Sequence, residues 1–280
     1  MSVRESPAPS LLVRPSPPDA EGTILRVTPG SAGWSHVSFE VLVLAEGSVA
    51  RRETGGQEAC IVVVSGSVTI ESSYGGWREL GTRQDPWSGL PEAAYLPPGS
   101  DYSITGEGGG AEVALCLAPA PGGGAEARIL PGAEIVPERR GYGSQERTIH
   151  PILMGERPAE SLLVCEVLTP PGHWSSYPPH KHDRDDPPAE TLLEETYYHR
   201  IAPPQGFALQ RVYTDDRSLD TTLTVGDRDC VLVPRGYHTV SAPPGYALYY
   251  LNVMAGPSRL WAVANDPDHA WTLEPPAAAG

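Results

Sequence analysis

The chain has 280 residues, and its 30 Gly and 31 Pro exclude an architecture of long helices, because both residues interrupt helical segments. With 35 acidic against 20 basic residues, a formal charge of -15 and Lys181 as its one lysine, it repels nucleic acid and anionic lipid, and polyanion binding is set aside. No 18-residue apolar run occurs, which excludes a helical membrane protein, while a hydrophobic fraction of 40% suffices for a core and excludes a disordered chain.

In chain order, the first 18 residues carry Arg4 and Arg14 but no apolar stretch of signal-peptide length, so a cytoplasmic location is expected. Short runs rich in Val, Leu, Ile, Thr and Tyr then recur between Gly/Pro clusters, at 37–44, 60–64, 113–117, 162–168, 208–213 and 247–253. This pattern predicts many short strands in a sandwich or barrel. The segment 118–125, Ala-Pro-Ala-Pro-Gly-Gly-Gly-Ala, has linker composition and divides the chain into 1–125 and 126–280. Cys60, Cys116, Cys165 and Cys230 each lie in an apolar run with no Cys-x-x-Cys pair, the pattern of buried, reduced thiols.

An internal repeat appears when Leu96-Pro97-Pro98-Gly99-Ser100-Asp101 is laid against Val233-Pro234-Arg235-Gly236-Tyr237-His238. Stepping back 43 residues from Asp101 and from His238 reaches Glu58 and Glu195, each at the head of a strand-like run. Two similar β domains in tandem are expected. Of eight histidines, His36 and His150 lie in the first 150 residues, and His173, His180, His182, His199, His238 and His269 follow. His180 and His182 stand at i and i+2, on one face of an extended strand about 6 to 7 Å apart, a spacing that can supply two ligands of one metal. Taken alone, such a pair also suits an exposed polar turn.

Glu195, His238 after Pro234-x-Gly236, and Gly172 ahead of the His pair complete a longer pattern. A His-x-His, then a Glu, then a His after Pro-x-Gly resembles the ligand order of the cupin family. The segments Leu193-Glu194-Glu195-Thr196-Tyr197-Tyr198-His199-Arg200, Pro203-Pro204-Gln205-Gly206-Phe207, Val233-Pro234-Arg235-Gly236-Tyr237-His238 and Tyr249-Tyr250-Leu251-Asn252-Val253-Met254 narrow it. The chain is similar there to the 5-deoxy-glucuronate isomerases of inositol catabolism, most densely over 174–261. The related 4-deoxy-threo-hexosulose-uronate ketol-isomerases share the same plan. The resemblance implies an all-β bicupin of two tandem jelly-roll barrels, with a divalent metal held by His180, His182, Glu195 and His238. It further implies aldose–ketose isomerisation of a small sugar acid in a homo-oligomer. A departure lies in the acidic insertion 183–190 before the Glu, which makes Glu194 a competitor; strand parity and the repeat favour Glu195. In the first domain Asp101 stands where His238 stands and no His-x-His precedes Glu58, so that barrel is expected to lack metal.

Zinc and manganese are the favoured metals, although three imidazoles and a carboxylate also accept iron or nickel. Isomerisation needs a proton carrier and a partner for the substrate carboxylate. Arg211 and Arg235 are candidates for the second task, since a guanidinium pairs with carboxylate bidentately. His199, at i+4 from Glu195, shares its strand face and is a candidate to move a proton, as well as a core histidine, and Tyr237 flanks His238. Tyr198 has the opposite parity and is expected to pack. Glu166 is expected on a solvated face or lining the barrel, and Trp174, Trp261 and Trp271 in packing. A non-catalytic cupin that binds a sugar or metal, or an iron dioxygenase on the same ligands, stands as the alternative class.

Overall fold

The computed structural model describes residues 10–275. Apart from one turn of α-helix at Pro29–Ala32 and three 3-10 turns, the regular elements are strands, all paired antiparallel. In the first half, eight strands form one sheet that runs Thr23–Val27, Ser38–Leu44, Asp101–Pro119, Gln57–Ser72, Glu92–Leu96, Arg128–Leu130, with Val49–Glu53 and Gly75–Leu80 on the two long strands. The sheet curls where the long strands lose register, at 63–67. Gly66 makes that bend possible: its φ is +79°, and a Cβ there would lie 2.1 Å from the Gly110 carbonyl oxygen.

The second half builds a barrel from two sheets. One runs Leu12–Val13, Cys230–Val233, Glu194–Ala202, Ala247–Ala255, Leu163–Thr169, Arg147–Leu153, Glu138–Arg140. The other runs Asp220–Val225, Ala208–Tyr213, Tyr237–Ser241, Trp174–Lys181, Ala264–Asn265. Leu12 and Val13 thus pair with Val231 and Cys230, tying the start of the chain to the second barrel.

Strand alternation sorts most of the apolar side chains into three large clusters, beside a small fourth of Leu163, Cys165, Leu193 and Met254. Leu42, Ala59, Ile61, Ile104 and Leu115 fill the first barrel, and Val167, Tyr197, Val212, Val240 and Tyr250 the second. A third cluster lies between the barrels and draws on both, including Cys60, Val62, Cys116, Tyr198, Leu232 and Val253. Each buried Val, Leu or Ile among them contributes roughly 1.5–3 kcal/mol, and through the third cluster the two barrels share a core. All four cysteines are free and buried, and burial pushes the Cys60 thiol up to about 12, which leaves it inert.

Charged side chains close the same interface. The Glu58 carboxylate accepts the backbone N–H groups of Glu160, Ser161 and Leu162 at 2.9, 2.6 and 2.7 Å. Glu194 accepts those of Ser35, His36 and Val37 at 2.6, 2.7 and 2.9 Å. Each carboxylate therefore holds three successive amides that lead into a strand of the other barrel. This symmetry corrects the repeat: Leu96 pairs with Ala59, whereas Val233 pairs with Glu195, so the counterpart of Glu58 is Glu194. The second half has one more residue between these positions, which an ungapped count cannot register. Glu166, expected on a solvated face or inside the barrel, is fully buried at the interface, where Arg83 donates to both its oxygens at 2.8 Å and His150 Nδ1 lies at 2.7 Å.

Candidate metal centre

The strand Trp174–Lys181 shifts register against Tyr237–Ser241 between Ser175 and His180, and the shift sets His180 directly opposite His238. His182 lies just past that strand, where its carbonyl accepts the Leu193 N–H at 2.9 Å and its Nδ1–H donates to the Leu193 carbonyl at 2.9 Å. The acidic insertion is therefore an excursion whose two ends are hydrogen-bonded together. Lys181 Nζ pairs with Asp183 at 2.9 Å, Glu190 accepts the N–H groups of Asp183 and Arg184, and Asp183 accepts that of Gly236. These bonds carry Glu195 back to the histidines despite the added length.

Glu195 Oε2 lies 3.0 Å from His182 Nε2 and 3.2 Å from His238 Nε2, and the ligating atoms of these three buried residues fall within 4.8 Å of one another. The His180 ring is 4.6 Å from that of His238 and 6.3 Å from that of His182, adjoining the tight trio. The Nδ1–H of His238 donates to the Gly236 carbonyl at 3.1 Å, so, like His182, it presents Nε2 to the centre in a fixed orientation. Burial alone would raise the Glu195 carboxyl, but its two imidazole neighbours outweigh burial and hold it down to about 2. Burial, with His238 and His182 nearby, drives His180 well below the ordinary imidazole value, so its nitrogens stay neutral.

This donor set fits a divalent cation. It offers the neutral His180, two further imidazoles and an ionised carboxylate, and His238 Nε2, buried 3.2 Å from Glu195, makes no well-aligned hydrogen bond. Glu194 points the other way, to the amides of residues 35–37, so alternation puts Glu195 alone at the centre.

A cavity of about 350 Å³ opens beside these ligands, lined among others by His180, Glu195, Tyr197, Tyr250, Arg147 and Trp261. That volume is at the small end of the roughly 300–1,000 Å³ typical of small-molecule sites. The Ser176 hydroxyl bonds to that of Tyr197 at 2.9 Å and lies 3.4 Å from that of Tyr250, which also bonds Ser175. Burial lifts the Tyr197 phenol well above its usual value and that of Tyr250 up to about 12, so both remain hydroxyl donors at neutral pH.

The other expected site residues lie outside this cavity. Gln210 and Val212 point into the barrel, and Val212 is registered opposite His238, so Arg211 between them faces outward. It pairs with both oxygens of Asp220 at 2.9 and 2.8 Å and stacks over Tyr213. Arg235 is exposed, and the Tyr237 hydroxyl donates to Asp215 at 2.9 Å. His199 does share the inward face of Glu195, but it lies deeper, with Nε2 2.9 Å from Gln210 Oε1 and Nδ1 unpartnered. Burial takes it down to about 4. Of the tryptophans, Trp261 lines the cavity edge-on to His180, whereas Trp271 is exposed.

Sequence reasoning passed over Arg140 and Arg147, which face each other across the hairpin of Glu138–Arg140 and Arg147–Leu153 and both line the cavity. The available signal was a pair of arginines flanking a Gly-rich turn in an acidic chain.

A match to the KduI/IolB family spans residues 11–272. The chain belongs to that family. It is 52% identical to the 5-deoxy-glucuronate isomerase of Geobacillus kaustophilus over 96% of this chain and 98% of that one. To the 5-deoxy-glucuronate isomerase of Bacillus subtilis it is 47% identical, over 89% and 92%. Among solved structures, an IolB-like protein from Salmonella typhimurium superposes with a TM-score of 0.90 at 42% identity, over 95% of this chain and all of that one. Oxalate decarboxylase from Lactobacillus farciminis superposes with a TM-score of 0.64 at 12% identity over 93% and 90%, a likeness of fold that supports the two-barrel cupin architecture. Membership with relatives of this similarity makes the protein an isomerase. Among the described residues no helix is long and apolar enough to cross a membrane.

Proposed function

We propose that the protein is a divalent-metal-dependent aldose–ketose isomerase that converts 5-deoxy-glucuronate to 2-deoxy-5-keto-gluconate in myo-inositol catabolism. The observation that carries this reading is the buried trio His182, Glu195 and His238, with His180 beside it on the wall of a cavity sized for a small sugar. The relatives' names supply the substrate. The metal, zinc or manganese, belongs to the second barrel, built mainly from 126–280, and the first, built mainly from 1–125, serves as its scaffold, with Leu12–Val13 and Arg128–Leu130 crossing that division. The enzyme is placed in the cytoplasm as a homo-oligomer, and the exposed Trp174, Phe207 and Leu209 offer apolar surface for subunit contact.

Isomerisation moves one hydrogen between adjacent carbons and one between their oxygens, and develops negative charge on those oxygens. A divalent cation supplies Lewis acidity to a carbonyl and its adjacent hydroxyl. The protein's own side chains do the rest. Glu195 and the imidazoles fix where the reacting end sits, and Tyr197 and Tyr250, joined through Ser176, present hydroxyl hydrogens to substrate oxygens along the cavity wall. His199, neutral and held by Gln210, shapes the floor beneath Tyr197. Elemental analysis of the purified protein, followed by an assay of 5-deoxy-glucuronate conversion before and after chelation, tests the reading. One metal per chain and chelator-sensitive turnover are expected; conversion by metal-free protein would refute it.

A further inference from the structure

The hairpin over the mouth of the second barrel places Arg140 opposite Arg147, a like-charge pairing that costs stability wherever nothing compensates it. Arg140 is compensated: its guanidinium bonds Glu138 at 2.6 Å and lies 5.0 Å over the Trp261 ring. Arg147 is not. Half-buried in the cavity wall, it makes one hydrogen bond, to the Gln145 carbonyl at 3.1 Å, and among the described residues no carboxylate lies within ion-pair reach of it. The contrast is with Arg52, Arg83 and Arg200, each of which is paired with a glutamate. Burial lowers the Arg147 pKa, Tyr250 opposes the shift and Arg140 adds to it, the mark of a cation short of negative charge. In a chain of net charge -15, a guanidinium left free in the same cavity as the metal-ligand set is poised for an anion from outside.

We infer that Arg147 binds the carboxylate of the substrate, gripping one end of the sugar acid while its carbonyl end lies at His180 and Glu195. This rests on the sugar-acid reading above and assigns its recognition element. Gly141, with φ +79° and no room for a Cβ beside Gln145 and Arg147, keeps the hairpin tight enough to hold the two arginines in register. The test compares wild type, Arg147→Gln and Arg147→Lys, all metal-loaded. Calorimetric titration with D-glucuronate and D-glucose should show Arg147→Gln losing affinity for the acid by on the order of 100-fold, with glucose unchanged and Lys restoring part of the loss. The preference for 5-deoxy-glucuronate over 5-deoxy-glucose as substrate should fall in the same proportion, while metal content and Tm stay at wild-type values. Wild type that binds the two sugars equally, or a variant that weakens both alike or neither, overturns the assignment. If wild type leaves 5-deoxy-glucuronate unchanged, the proposed reaction fails, and the glucuronate titration still decides the role of Arg147.

Discussion

The two barrels put different side chains at matching places on one strand. On Gln57–Ser72 the inward residues are Ala59, Ile61 and Val63; on Glu194–Ala202 their counterparts are Glu195, Tyr197 and His199. The outward residues are more alike, since Glu58 and Glu194 each hold three amides of the opposite barrel. What joins the barrels therefore survives on both sides, whereas what fills them has diverged. An apolar interior packs and stays shut. A polar one is tolerable because its charges are paired, and it can open a cavity at its mouth.

The largest effect should come from replacing the second barrel's distinguishing carboxylate. Glu195→Gln removes the charge that the imidazoles face, so bound metal should be lost on elemental analysis and turnover should fall by about 1,000-fold or more. Glu194→Gln, one residue away, should keep the metal and most of the activity. A variant pair that behaves the other way round would mean that the parity drawn between these strands is wrong.

The shared features come next. In Glu58→Gln or Glu194→Gln the three amides lose a charged acceptor and gain an NH₂ group that cannot accept from them. Each should lower unfolding free energy by about 1–3 kcal/mol in denaturant titration. Similar losses at the two sites are expected from their common geometry, and a loss confined to one would break the symmetry.

A pH-dependent effect of comparable size should separate His199 from Val63, its counterpart in the first barrel. His199 titrates near 4 in the folded protein and near its ordinary value of 6.5 when unfolded. The unfolded chain thus takes up this proton first as pH falls. Stability from the neutral ring is complete above 6.5 and is lost between 6.5 and 4, by roughly 3 kcal/mol in all. The stability gap between wild type and His199→Gln should narrow over that window. A constant gap would mean that the ring is protonated in place.

Much of this was legible before any coordinates. Gly/Pro-punctuated short strands announced the barrels, and the order His180, His182, Glu195, His238 marked residues that the fold brings close, because strand parity turns them to one interior. The one-residue slip in the repeat was not legible, since only cross-strand register shows that Ala59, not Glu58, stands where Glu195 does. Arg147 was harder to find for a similar reason: the arginines flanking a Gly-rich turn were visible, but that its strand, at the far side of its sheet, reaches the cavity is a tertiary relation.

The smallest effect should be at Arg211, which its guanidinium and its place near the proposed ligands made a candidate for the substrate's carboxylate. Its inward neighbours Gln210 and Val212 occupy the barrel, and the guanidinium is turned to solvent on Asp220, an ion pair of the kind that contributes little. Arg211→Ala should leave Tm within error and kcat/KM for 5-deoxy-glucuronate within about twofold of wild type, because an exposed pair lost far from the cavity changes neither packing nor recognition. A rise in KM confined to the acid substrate would instead place the carboxylate on the outer face of the sheet and take it away from Arg147. The two arginines thus make opposite predictions for one kinetic constant, and strand parity is what distinguishes them.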